Sequence, residues 1–425
     1  MVKRKSFAVN NLSLFIKQCI AWAESFSHYC FLNGNDFNLP FGNFPKELAV
    51  GSSQSLLIDT SVTPFEALST FIKRGEWSYG YLSYDLKNYT EKLSSNNKDN
   101  CHFPEISFFS PIHRIFFNTG TITIESFSNC DEVFQTISSI ELPDEDIISA
   151  HRIATDIDKD SYIEAVNRIK NHIIEGDVYE LNYCIEFNTT LPVIYPPSLY
   201  YKLNALSPMP FSGIYKASEH YIFSASPERF IKKENNKLIS QPIKGTAKRS
   251  ENEHEDQEIK KALMHSEKEQ AENMMIVDLV RNDLARSSKP GTVKVEELFG
   301  VYTFPFVHQM ISTISSELRE DVSPVDAIKN AFPMGSMTGA PKIRAMQLIE
   351  EFEQNKRGAF SGALGYFSPE GDFDFNVLIR SFFYNQSTGI LSFQVGSAIT
   401  YDSDPEKEYQ ECLLKASALM KALGA

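Results

Sequence analysis

Strand-like and helix-like stretches in this chain fall in runs rather than in strict alternation, and that grouping limits the fold more than any other feature. A doubly wound parallel sheet needs a helix after nearly every strand. Here short alternating apolar patterns follow one another instead, as in "ELAVGSSQSLLID", "WSYGYLSYDL", "ISFFSPIHRIFF" and "TITIESF". Helical patterns cluster later, and the last strands, "GALGYFS", "FNVLIRSFFYN" and "ILSFQVGSAITY", again run together before a closing helix from about Pro405. The reading is a mixed α+β architecture.

Individual helices carry start and stop signals. "DSYIEAVNRIKNHIIEG" has apolar Ile163, Val166, Ile169 and Ile173, a capping-box start at Ser161 with Glu164, and Gly176 as its stop. One long helix is expected across "EDQEIKKALMHSEKEQAENMMIVDLVRNDLAR" and another across "APKIRAMQLIEEFE". At the start, Leu12, Phe15, Ile16, Cys19, Ala23 and Phe26 recur at helical spacing, while Lys17 and Gln18 interrupt the apolar run a signal peptide would need. A buried amphipathic helix is expected there. "KLSSNNKDN" reads as a loop, and the acidic stretch "ELPDEDI" marks the main change of composition, dividing residues 1–150 from residues 151–425.

Composition removes several function classes. A formal net charge of −14 argues against a nucleic-acid partner, because phosphate-backbone binding needs clustered surplus cations. An anionic small substrate would need cations gathered locally or a metal. No stretch reaches the roughly 18 apolar residues of a membrane span. The six cysteines are scattered without metal-ligand spacing, as core thiols of a reducing compartment would be, and a cytoplasmic protein is expected.

Several residues have chemistry to offer. Glu269 with Glu272, and Glu408 with Glu411, stand at i, i+3 spacing, so each pair shares a helix face. Two such faces across a cleft suit a hard cation such as Mg²⁺, but a solvated acidic face fits either pair taken alone. Arg380 interrupts an apolar strand and needs an anion, either a protein carboxylate or a substrate. The turn "GSMTG" precedes Pro341 and offers amides at a helix start, as either an anion site or a structural turn. Glu228, after Pro227, is either a general acid or the partner of neighbouring Arg229, and His308 is either a core or a catalytic histidine. Lys244 stands beside Gly245 in "QPIKGTAKR", where a surface charge, an anion clamp and a nucleophile are all open. Walker-loop and dinucleotide fingerprints are absent.

In order, "GDVYELNYC", "SASPERF", "PIKGTAKR", "EKEQAENMMIVDLVRNDLAR", "FPFVHQMIST", "FPMGSMTGAPKIRAM", "GALGYF", "VLIRS" and "VGSAITYDSDPEKEYQE" resemble the chorismate-utilising enzymes over about residues 155–424. The resemblance implies a single large fold of two packed, mainly antiparallel sheets flanked by helices, with residues 1–150 as its amino-terminal half and the catalytic region in 151–425. It implies Mg²⁺ held by Glu272 and Glu411 with Glu269 and Glu408 beside them. Substrate binding would fall to Arg380, Lys415, His308, Ser336, Thr338 and Gly339 of the "GSMTG" turn, and Gly396 and Ala398 of "VGSA". The "PIKGT" form resembles members that aminate chorismate to 4-amino-4-deoxychorismate for p-aminobenzoate and folate. There Lys244 would form a covalent bond to C2 of the substrate and Glu228 would protonate the departing C4 hydroxyl. Neutral Lys244 would require burial or a nearby cation, with Lys248 and Arg249 as candidates.

Glu180 stands where related ammonia-using enzymes commonly carry Gln. The Leu-Leu-Glu-Ser motif of tryptophan-regulated members is absent, so no tryptophan feedback is expected. A separate glutamine amidotransferase is the implied ammonia source. Anthranilate formation and a non-catalytic chorismate-binding subunit are the rival readings.

Overall fold

The computed structural model describes residues 2–143, 150, 152–192 and 194–425. Most of the acidic stretch expected to divide the chain lies outside the described residues. The architecture is α+β, and every pairing between strands is antiparallel.

One sheet runs from strand Lys3–Ala8 through Thr121–Ser126, Ile106–Asn118, Lys46–Ile58, His28–Asn33, Phe211–Ala217, His220–Ser226, Ser381–Asn385 and Ile390–Ile399 to Glu180–Thr190. The other passes from Ile106–Asn118 through Ser78–Leu82, Ala363–Phe367, Phe373–Asn376, Arg229–Glu234 and Lys237–Gln241 to Val307–Glu317. That last strand also pairs with Ile243–Lys248 and Lys294–Thr303. The two sheets share the long strand Ile106–Asn118: residues 106–109 pair with Ser78–Leu82, and residues 113–118 with Thr121–Ser126. Pro111, which has no N–H to give a ladder, sits at the handover. Because His28–Asn33 pairs with Phe211–Ala217 and Ser78–Leu82 with Ala363–Phe367, the segments before and after residue 150 interleave in both sheets.

The first expected helix forms over Leu12–Ala23 and buries Phe15, Cys19, Ile20 and Trp22. All six cysteines are free and buried. Three expectations need correction. The helix predicted to start at Ser161 begins at Lys159, because Asp158 is the cap and accepts the Ser161 N–H at 2.8 Å. The long helix over residues 255–286 is two, Glu253–Met264 and Glu267–Ala285, because Ser266 caps the second by accepting the Glu269 N–H. The strand predicted across "FNVLIRSFFYN" splits into Phe373–Asn376 and Ser381–Asn385, with Arg380 in the break at φ +51°.

Candidate active site

The break at Ser266 is what places the acidic pair. It puts Glu269 in the first turn of the new helix and Glu272 one turn on, where the positive end of the helix dipole favours carboxylates. The closing helix Pro405–Ala422, capped by Asp404, does the same for Glu408 and Glu411. Lys268 Nζ lies 3.7 Å from Glu272 and 3.8 Å from Glu408, so one ammonium joins the two helices. Burial would lower the Lys268 pKa, but Glu272, Glu408, Glu269 and Glu411 together hold it above its ordinary value. All four predicted glutamates therefore act on one cation, two of them by contact. Carboxylates from two helices that share one positive charge are the oxygen donors a hard divalent ion takes. Among the described residues, the three ligand groups that lie within 4.8 Å of one another are elsewhere, at His172, Glu175 and Asp177, and Arg344 already pairs with Asp177 there.

Lys244 is placed by a bulge. Ile243 pairs with Ile311 and Thr246 with Gln309, so three steps on one strand match two on the other and the extra residue re-aims Lys244. Gly245 takes φ +90°, and a Cβ there would stand 3.0 Å from the Glu269 carboxylate. The Lys244 side chain is 11% exposed and donates to Glu180 Oε1 at 2.5 Å. Burial favours the neutral amine, but Glu180, Glu272 and Glu228 outweigh it and raise the Lys244 pKa above the usual lysine value. The cations expected to depress that pKa are not there. Lys248 is exposed, and Arg249 turns away to Asp256, at 2.8 Å.

Glu228 is only 4% exposed, and burial pushes its carboxyl up to about 7 against the opposing pull of the Ser336 hydroxyl, Lys244 and Arg380. The Glu228–Arg229 salt bridge does not form. Arg229, fully buried, makes a two-pronged contact to Asp374 at 2.9 and 3.0 Å, and also donates to Gln241 Oε1 and the Gly42 carbonyl. Arg229, the first residue of its strand, is thus committed to Asp374, and Glu228, just before that strand, is left without it. The Val377 N–H donates to the Glu228 carbonyl at 3.0 Å, and the Ala225 N–H to the Arg380 carbonyl at 3.2 Å. These bonds tie Glu228 to the break that carries Arg380. Burial lowers the Arg380 pKa to about 10, and Glu228 partly offsets the fall. No protein carboxylate pairs with the Arg380 guanidinium among the described residues, which leaves a desolvated cation for an anion. A positive φ at a non-glycine residue costs on the order of 1 kcal/mol.

The remaining predicted residues divide. Gly339 packs so tightly that a Cβ would lie 2.2 Å from the Glu180 carbonyl, which fixes the strand start carrying Glu180. Lys415 bridges Glu411 at 2.7 Å and the Gly396 carbonyl at 2.9 Å, and Ser397, between Gly396 and Ala398, donates to Glu408. Ser336 neighbours Glu228. Thr338 is fully buried and its hydroxyl donates to the Met334 and Gly335 carbonyls, a turn-holding role. His308 is 1% exposed, with Nε2 3.0 Å from Asp256 and Nδ1 3.0 Å from Thr303, so both ring nitrogens are engaged within the protein. The contact between Lys268 and Glu272 was legible only as an i, i+4 pair, and Asp256 gave no sequence signal.

A buried amine, a buried carboxyl raised to about 7 and an arginine without a carboxylate partner among the described residues lie in one region of a two-sheet α+β fold, the arrangement of an enzyme site. The chain belongs to the chorismate binding enzymes, whose family model matches residues 45–421. Anthranilate synthase component 1 of Thermus thermophilus is 34% identical over 356 residues, covering 81% of this chain and 76% of that protein. Aminodeoxychorismate synthase component 1 of Bacillus subtilis is 33% identical over 365 residues, with 81% and 76% covered. The crystal structure of anthranilate synthase component I from Streptococcus pneumoniae superposes with a TM-score of 0.77 at 25% identity, over 90% of this chain and 93% of that one. The menaquinone-specific isochorismate synthase of Escherichia coli shares the fold at TM-score 0.77 and 17% identity, over 100% of this chain and 95% of that one. Among the described residues no helix is long and apolar enough to cross a membrane.

Proposed function

We propose that the chain is component I of an aminodeoxychorismate synthase, which replaces the C4 hydroxyl of chorismate by an amino group derived from ammonia. The observation that carries this reading is Lys244, a buried amine at a bulge within the electrostatic reach of Glu228. A buried ammonium takes a carboxylate partner in any role, and an acceptor 2.5 Å from the nitrogen is also what a nucleophilic amine requires to shed its proton.

In this reading Lys244 attacks C2, the two ring double bonds each move one position, and the C4–O bond breaks as Glu228 gives its proton to the departing oxygen. Ammonia then attacks C4, the double bonds return, and the lysine nitrogen leaves. Arg380 and Lys415 hold the substrate carboxylates. Glu269, Glu272, Glu408 and Glu411 would hold Mg²⁺, which when bound supplies neutralising charge to the ring carboxylate. Glutamine as nitrogen source would require an amidotransferase partner.

The test is incubation of the purified chain with chorismate, Mg²⁺ and ammonium, followed by mass identification. A product that keeps the enolpyruvyl group supports the proposal. Anthranilate with pyruvate release refutes it and favours the second reading, anthranilate synthase component I, which the similarity to the Thermus and Streptococcus proteins keeps in view.

A further inference from the structure

Resting on that reading, we infer that Glu180 is the catalytic proton acceptor that turns the Lys244 ammonium into a nucleophile and returns the proton when the lysine is expelled. Lys244 cannot attack as an ammonium, since its nitrogen then has no lone pair. The charged groups that act on it most strongly are carboxylates: Glu180 on strand Glu180–Thr190, Glu272 on helix Glu267–Ala285, and Glu228 before strand Arg229–Glu234. Lys244 in turn acts on Glu269 and Glu411. The pocket therefore keeps the resting amine charged, and deprotonation has to occur within it.

Among these groups Glu180 alone hydrogen-bonds to the Lys244 nitrogen, at 2.5 Å. Its side chain is 2% exposed, and its second oxygen, Oε2, is buried with no partner. A carboxylate with one oxygen on the donor and the other unsatisfied is poorly solvated, so passing the proton to it replaces a buried ion pair by a neutral pair at no change in net charge. Glu228 cannot take this role, because the same step requires it to give a proton. The position of Glu180 is firmly set: the Tyr179 N–H donates to the Ala340 carbonyl at 2.7 Å, and Ala340 is the register partner of Glu180.

The protons balance. Lys244–NH₃⁺ gives one to Glu180, and the resulting amine bonds to C2 while the C4 oxygen leaves as water with the proton of Glu228. When ammonia has bonded to C4 and the C2–N bond has broken, the lysine leaves as a neutral amine and recovers its proton from Glu180. The new C4 ammonium gives one proton back to Glu228. The net change is exchange of a hydroxyl for an amino group, with ammonia consumed and water released.

The experiment follows the Lys244 peptide by mass spectrometry after rapid mixing with chorismate and Mg²⁺, without ammonia. Wild type starts with the correct number of protons on the Lys244–Glu180 pair, so between about pH 6 and about pH 7 adduct formation should fall only by about twofold, as Glu228 loses its proton. Glu180→Gln must lose a proton to solvent first, so its rate should be lower by about 10²-fold and rise about fivefold over that window, the tenfold gain in free amine being halved by the loss of protonated Glu228. Glu180→Asp, which keeps an acceptor, should form adduct more slowly but with the gently falling profile of wild type. Chorismate affinity by calorimetry should change little in either variant. A Glu180→Gln adduct as fast as wild type, or a rising profile in Glu180→Asp, overturns the inference and leaves the Lys244 reading intact. Absence of any adduct in wild type, with Lys244→Ala still aminating, removes the reading on which the inference rests.

Discussion

Glu228→Gln should make the enzyme slower and the protein more stable at alkaline pH, both from one carboxyl. Burial raises that carboxyl from 4.5 to about 7. Near pH 7 about half of the molecules then carry the acidic proton, against about one in 300 for an unperturbed glutamic acid. Above pH 7 wild-type turnover should fall about tenfold per pH unit as the proton donor is lost. The amide has no proton to give, so amination should drop by about 10²- to 10⁴-fold and the descending limb should disappear.

The stability effect has the opposite sign. A carboxyl whose folded pKa lies above its unfolded value favours the fold below the unfolded value, and that advantage is lost as pH rises through the folded one. A rise from 4.5 to about 7 corresponds to an upper bound of about 3 kcal/mol, fully expressed above about pH 8. Urea unfolding of Glu228→Gln should therefore match wild type near about pH 4.5 and exceed it by up to about 3 kcal/mol near about pH 8. Unchanged amination, or a stability difference that does not vary with pH, would refute the reasoning.

Lys244→Ala should abolish the substrate adduct seen by mass spectrometry while calorimetric chorismate binding persists, because Arg380 still meets the carboxylates. Glu272→Gln and Glu411→Gln should each weaken Mg²⁺ binding measured by calorimetry and stop turnover without unfolding the chain. Lys268→Met should lower the melting temperature of metal-free protein, since Glu272 and Glu408 lose their shared cation, and Mg²⁺ should raise that temperature more than in wild type. Arg229→Met leaves Asp374, 1% exposed, without its partner and should cost about 3–5 kcal/mol in urea unfolding, with much of that recovered in Arg229→Met/Asp374→Leu.

Local rules were enough for much of this protein. Helical spacing and Gly176 marked the Lys159–Ile174 helix, ExxE spacing put each glutamate pair on one face, and the ordered motifs named the family and its α+β fold. Those features depend on neighbours a few positions away, so the sequence displays them directly. Where the local signal was read too simply, the nearest capping residue decided otherwise, Asp158 in place of Ser161 and Ser266 within an expected continuous helix.

The site's chemistry depends on contacts between distant segments. Glu180 and Lys244 meet because one starts a strand of the first sheet and the other occupies a bulge at the end of the second. Arg229 could have paired with its neighbour, but the buried Asp374 takes it. His308, on strand Val307–Glu317, is turned inward by Asp256 of helix Glu253–Met264. Which carboxylate meets which cation, and whether water reaches them, is fixed by long-range register and burial, and these decide that Lys244 rests charged, Glu228 rests half protonated and Arg380 is left for an anion.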